Sequence, residues 1–241
     1  MKKNCKSLGT MVVSWITLIV LSTTFCEAST VVLPFTKLTG LAGGSPAGTA
    51  IYRADLSGLT LDSILSISIF DNSGGLGGAT GQFSGFDLDA IRLATTSCPD
   101  AACAAALPGL AVFDFSVGTI FTPGSQRAPA DSKLFGTNAT GNGVNNIVDT
   151  LGVFDANDTT AIPGAAGFIS MGDNGVLTLN LTSAVIPAGK FLYIGEVGDN
   201  GEVAAGQIVV RDTTVPEPST WLLMGCGLVT LGLLRRRACI R

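Results

Sequence analysis

The chain contains no histidine. A Ser-His-Asp or Cys-His nucleophile arrangement is therefore excluded, as is zinc held by imidazole. Charge is scarce as well, with Asp, Glu, Lys and Arg making up 13% of 241 residues. It is also unevenly placed: residues 29–215 hold seven basic side chains against sixteen acidic ones. So few Lys and Arg argue against DNA or RNA as a partner, because that affinity comes largely from neutralised phosphates. Aromatic side chains are sparse. Tyr52 and Tyr193 are the only tyrosines, and Trp15 and Trp221 both lie in the terminal stretches, which weakens any reading that needs exposed rings for stacking sugars. Between those stretches the only glutamates are Glu196 and Glu202, and aspartate pairs are too numerous to single out a pair for glycoside hydrolysis. No enzymatic activity is expected.

What the sequence does have is concentrated at its ends. Lys2, Lys3 and Lys6 precede an apolar run from Met11 to Leu21, and Cys26-Glu27-Ala28 puts small residues at the −3 and −1 positions. This is the layout of a signal peptide over 1–28, with cleavage between Ala28 and Ser29. Phe25 before Cys26 speaks against a lipoprotein signal. The alternative is a retained N-terminal membrane helix, which would leave both termini inside and the middle outside.

At the other end, Val215-Pro216-Glu217-Pro218-Ser219-Thr220 leads into an apolar run from Trp221 to Leu234, closed by Arg235, Arg236 and Arg237. At ~1.5 Å per residue that run reaches about 21 Å, against a hydrocarbon core of about 30 Å. It is short for a permanent anchor. Pro216 and Pro218 fix their own φ and push Val215 and Glu217 toward extended backbone, so the triplet should be a helix-free handle.

The triplet, apolar run and arginine cluster, in that order, resemble the PEP-CTERM sorting signal of exported bacterial proteins. The resemblance implies a short transmembrane sorting helix and recognition by a membrane-embedded exosortase-type enzyme, a cysteine transpeptidase that cuts near the triplet. It further implies membrane passage during export, delivery to the cell surface or medium, and association with exopolysaccharide or biofilm matrix. Pro216, Glu217, Pro218 and Arg235 to Arg237 are then substrate residues for another enzyme. Cys226 inside the apolar run and Ala238-Cys239-Ile240-Arg241 after the arginines depart from the pattern and leave a thiol role such as acylation open. A plain C-terminal anchor would give the same topology.

Of six cysteines, Cys5 and Cys26 leave with the signal peptide and Cys226 and Cys239 lie in the tail. Cys98 and Cys103 remain, and outside the cytoplasm a local disulfide between them is the expected state. A redox or metal pair is the alternative, but redox motifs favour two intervening residues and metal sites need further ligands.

The division expected is thus 1–28 signal peptide, 29–214 exported domain and 215–241 sorting signal. The exported part reads as an all-β, antiparallel sandwich, jelly-roll-like, with short alternating strands and frequent glycine turns. Strands are expected at Thr30–Leu33, Ile51–Leu56, Leu65–Phe70, Phe86–Leu93, Val112–Val117, Val176–Thr182, Phe191–Ile194 and Gln207–Arg211. Leu65, Ile67 and Ile69 should share a buried face with Ser66 and Ser68 opposite; Leu177, Leu179 and Leu181 should point inward with Thr178, Asn180 and Thr182 outward. Gly172-Asp-Asn-Gly175 and its repeat Gly198-Asp-Asn-Gly201 read as paired hairpin turns. The Pro- and Gly-rich stretch from Phe121 to Asn146 is the best place to look for a binding surface.

No cofactor is expected. The one metal the pattern could suit is Ca2+, shared by Asp87 and Asp89 on one strand face with further oxygens from loops; a solvated outer face is the preferred reading of that pair. Asp155-Ala-Asn-Asp158 resembles a fragment of a calcium loop but lacks its glycine and distal glutamate. The leading function is a non-enzymatic surface or matrix protein. The alternative is a calcium-dependent carbohydrate-binding or adhesive module.

Overall fold

Alternation of apolar and small polar residues forms the strands, and glycines in left-handed backbone follow several of them, Gly74 and Gly75 after Ile64–Phe70 and Gly198 after Phe191–Val197 among others. In the computed structural model, described for residues 29–43, 47–115, 118–145, 151–155, 167–202, 208–215 and 227–228, ten strands make two antiparallel sheets. The strands are β1 (Thr30–Val32), β2 (Thr36–Lys37), β3 (Thr49–Asp55), β4 (Ile64–Phe70), β5 (Asp87–Ala94), β6 (Thr119–Thr122), β7 (Ile169–Ser170), β8 (Val176–Val185), β9 (Phe191–Val197) and β10 (Ile208–Arg211). The first sheet has the order β1-β10-β4-β8-β6 and the second β2-β3-β9-β5-β7.

The pairing is nested. β1 lies against β10, β3 against β9, β4 against β8 and β5 against β7, every pair antiparallel. That is one long hairpin rolled up so that its successive pairs fall alternately into the two sheets, which is jelly-roll topology. β2 and β6 are additions at the sheet edges. Ile67, Ile69, Leu177, Leu179, Ile208 and Val210 of the first sheet share one core with Leu88, Ile91, Leu192 and Ile194 of the second. Residues Ser29–Val215 form one compact unit.

Three expectations need correction. Ile64 takes the core position and Leu65 is only half-buried, because a register shift between Ile64 and Ser66 slips the alternation by one residue at the strand start. Val112–Val117 is not a strand: among its described residues only Phe113 makes a bridge, to Leu181, and the strand that pairs with β8 there is β6. The Gly172–Gly175 and Gly198–Gly201 turns are not hairpins. The first leads from β7 in one sheet to β8 in the other, and the second follows β9 where the chain leaves the second sheet for β10 in the first. They are corners of the roll, and left-handed Asn174 (φ 64°) and Asp199 (φ 48°) make the bends.

The second sheet carries a further layer on its outer face. Ile51, Ala90, Ala94 and Tyr193 pack there against Cys98, Ala101, Ala104 and Phe154. Ala101–Ala106 is a short helix, α1, absent from the expected strand list. Asp100 caps it, accepting the Cys103 N–H at 2.8 Å. Cys98 and Cys103 form a disulfide across its first turn with Cα atoms 5.5 Å apart. Replacing both cysteines by alanine should lower stability by about 2 kcal/mol on the loop-entropy model, visible as a lower urea midpoint with an unchanged slope.

Among the described residues no helix is long and apolar enough to cross a membrane. The expected signal peptide over 1–28 and, except for residues 227–228, the expected sorting helix lie outside the described residues, as do Ala28, Pro216, Glu217, Pro218, Cys226, Arg235, Arg236 and Arg237.

Candidate functional site

One end of the sandwich is built from acids. Leu192 and Ile194 of β9 point into the core, and Glu196 follows them on the same side, flanked within the second sheet by Ala50 of β3 and Leu88 of β5. Its side chain is 0% exposed. The Asp199 and Asn200 backbone N–H groups point toward it, but neither carboxylate oxygen receives a hydrogen bond of ordinary geometry. Burial, then the nearby charge of Glu202, pushes its pKa up to about 8.

Glu202 is 1% exposed. Arg127 reaches it through Nη2 at 3.1 Å and reaches Asp173 through Nε at 3.1 Å, while its Nη1 donates to the Gly77 carbonyl. Burial outweighs this partner and holds Glu202 up at about 8. Gly78 lies over the carboxylate so closely that a Cβ there would stand 1.6 Å from Oε1, in backbone at φ 62° that already favours glycine. The glycine-dense stretch after β4 is thus a lid over a buried acid.

Asp71, at the end of β4, ties the same region together. Oδ1 accepts from Ser73 Oγ at 2.7 Å and from the Phe86 N–H at 2.8 Å, and Oδ2 accepts from the Asn174 N–H at 2.9 Å. One carboxylate therefore joins three loops.

Asp87 and Asp89 are not on a solvated face. Both are buried, since every residue of β5 is covered, and a strand with packed layers on both sides has no outer face in water. Ser170 Oγ donates to Asp87 and Thr49 Oγ1 to Asp89, so the two carboxylates are committed to hydroxyls on different strands. Burial and the charge of Glu202 raise Asp87 well above the usual carboxylate range. Among the described residues no group of three or more acidic or thiol side chains is placed to hold a metal ion.

A cleft of about 250 Å3 lies elsewhere, lined by Arg92, Gly109, Leu110, Phe113, Phe115 and Gly152 among others. Phe113 and Phe115 stack with centroids 5.7 Å apart. Arg92 is spoken for: Nη1 donates to the carbonyls of Ala104, Ala105 and Leu107, Nη2 to that of Gly152, and the guanidinium lies 4.9 Å from the Phe154 ring centroid. It closes the carbonyl end of α1.

The stretch from Phe121 to Asn146 is fastened down, with Leu134 and Thr137 buried and Phe135 packed on Phe83 and Phe168 at 4.9 and 4.7 Å. Its longest exposed run among the described residues is Ala128 to Ser132, with further exposed positions at Thr122, Pro123, Ser125, Ala139, Thr140 and Asn142.

Both ends of the compact unit reach the first sheet. β1 pairs with β10, and the Ser29 N–H donates to Asp212 Oδ1 at 3.0 Å. After β10 the chain passes along that sheet, the Thr213 carbonyl and the Val215 backbone accepting and exchanging hydrogen bonds with Ser66 and Asn180. The stretch from Thr214 to Arg237 is what compares with a known family. It matches the PEP-CTERM protein-sorting motif.

The match spans residues 214–237 and takes in Pro216, Glu217, Pro218 and Arg235 to Arg237. A PEP-CTERM motif implies export, membrane passage toward the cell surface and processing by an exosortase-type enzyme. No curated protein and no solved structure matches the chain. The buried acids Asp71, Glu196 and Glu202 share no local sequence pattern that marks them as a group. For Glu196 a signal exists, since it continues the Leu192, Ile194 alternation.

Proposed function

We propose that the chain is a non-enzymatic surface protein: cleaved between Ala28 and Ser29 on export, cut again near Pro216 to Pro218, and delivered as the folded unit 29–215 to a matrix of exopolysaccharide or biofilm. The PEP-CTERM match at 214–237 carries this reading. An acidic domain with seven basic and sixteen acidic side chains, its strands locked by a rolled hairpin, suits a component that stays soluble and folded outside the cell.

Intact-mass analysis of protein from cells and medium tests it. A product beginning at Ser29 and ending near Pro216 to Ser219 is expected. Product that retains Arg235 to Arg241 where the sorting machinery is intact would sink the processing claim and leave a plain anchor. Replacing Pro216, Glu217 and Pro218 together by alanine should reduce released product at least tenfold and leave precursor in the membrane fraction.

The alternative is a calcium-dependent carbohydrate-binding or adhesive module using Asp residues and the long middle loop; of these residues Asp87 and Asp89 are buried and each accepts from a hydroxyl. Melting with Ca2+ and with EDTA separates the readings: the proposal expects coincident curves, and a calcium-dependent rise would reinstate the alternative.

A further inference from the structure

Asn180 stands on β8 opposite Ser66 on β4, on the face of the first sheet that points away from the shared core. Neither residue contributes to the sandwich interior. Asn180 Nδ2 donates to the Val215 carbonyl at 2.8 Å, and Oδ1 accepts the Val215 N–H at 2.9 Å. The side-chain amide thus occupies both main-chain groups of one residue, as a neighbouring strand would. Ser66 Oγ donates to the Thr213 carbonyl at 2.8 Å, so the segment is held at two points, two residues apart. Val215 is bonded directly to Pro216. No linker separates the pinned residue from the sorting triplet.

We propose that Asn180 and Ser66 form a latch that gates processing of the sorting signal, so that residues 213–215 must lift off the sheet before the processing enzyme can engage the triplet. An enzyme that cuts a peptide chain grips it extended, through main-chain N–H and C=O groups on both sides of the cut. Pro216 and Pro218 supply no N–H. Apart from Glu217, the nearest donor upstream is therefore that of Val215, and Asn180 holds it. The inference rests on the processing near the triplet proposed above, and adds that the folded domain controls its rate. Asn180 is a positioning residue here, acting through the Val215 backbone.

If cutting proceeds only from the lifted state, its rate scales with the population of that state. Loss of two hydrogen bonds of ordinary strength raises this population about tenfold. The test follows precursor-to-product conversion of the full chain by pulse-chase and intact mass in a host with its exosortase-type enzyme. Asn180→Ala is expected to convert about tenfold faster than wild type, and Ser66→Ala about threefold faster. Thr178→Ala, on the same face of β8 and bonded to Ser68, should convert at the wild-type rate. Hydrogen exchange on the purified full chain checks the latch directly: in Asn180→Ala the Val215 amide should lose protection while the amides of Ile67 and Leu179 keep theirs. If Asn180→Ala does not fold, Ser66→Ala decides. Unchanged or slower conversion in the folded latch variants overturns the gate, as does equal acceleration by Thr178→Ala, which would mark general loosening. A wild-type chain that keeps its tail fails the processing reading and the gate together, whereas a processed wild type with insensitive variants fails the gate alone.

Discussion

Asp71→Ala is expected to lower the stability of the folded unit by roughly 3–5 kcal/mol, a drop on the order of 10 °C in melting temperature for a domain of this size. The carboxylate is buried and accepts from Ser73 Oγ and the N–H groups of Phe86 and Asn174. Its removal strands two backbone donors at the ends of different loops, where water cannot replace a carboxylate without a cavity opening. Hydrogen bonds to an ionised acceptor contribute about 1.5–3 kcal/mol each, and a buried donor left unpaired costs about 1–3 kcal/mol. Asp71→Asn separates charge from shape. It keeps one acceptor oxygen but turns an NH2 toward a donor, so an intermediate loss is expected. Thermal melts of both variants beside wild type are the measurement; an Asp71→Ala chain within about 1 kcal/mol of wild type would show that the three loops hold without their common acceptor.

That hub marks where the sequence stops being legible. Strand β8 is legible because Leu177, Leu179 and Leu181 alternate with polar residues without interruption, and one buried face forces that register. The two-residue strands β2 and β7 carry no such period and exist only because β3 and β5 offer them an edge. Asp87 and Asp89 read as solvated because a two-layer sandwich leaves its outer faces in water. The third layer, α1 with the disulfide and Phe154, comes from segments whose packing no local pattern announces. The glycine corners show the same limit. Gly172-Asp-Asn-Gly175 announces a tight bend, but whether the bend joins neighbours in one sheet or crosses to the other is decided by the rolled pairing of β4 with β8 and β5 with β7. The sorting motif is the opposite case: another enzyme must read it as linear sequence, so it is legible without a fold.

Between about pH 4.5 and pH 8 the folded unit is expected to lose stability as pH rises, the reverse of a protein whose acids are salt-bridged. Glu196 and Glu202 are raised from 4.5 to about 8 in the folded chain, so across that window the folded state holds protons that the unfolded state releases. Stability is then fully present below the unfolded value and is lost as pH climbs through the folded one. Groups facing the pair act in both directions: Asp199 pushes Glu196 further up, Asp71 and Asp173 push Glu202 up while Arg127 in contact draws it down, and Asp87, itself raised well above the usual carboxylate range, and Tyr52, pushed up to about 12, lie beside the same pair. Each pKa unit that survives screening corresponds to about 1.4 kcal/mol, or roughly 2–4 °C in a domain of this size. A fall of at least about 5 °C in melting temperature from pH 5.5 to pH 8.5 is expected for wild type. Glu196→Gln removes one of the two titrations while keeping the shape. It should melt above wild type at pH 8.5 by about 3 °C or more, differ little at pH 5, and show a flatter dependence in between. A wild-type melting temperature that is constant or rising across this window would mean that the two glutamates stay charged in the fold, and that Arg127 offsets their burial.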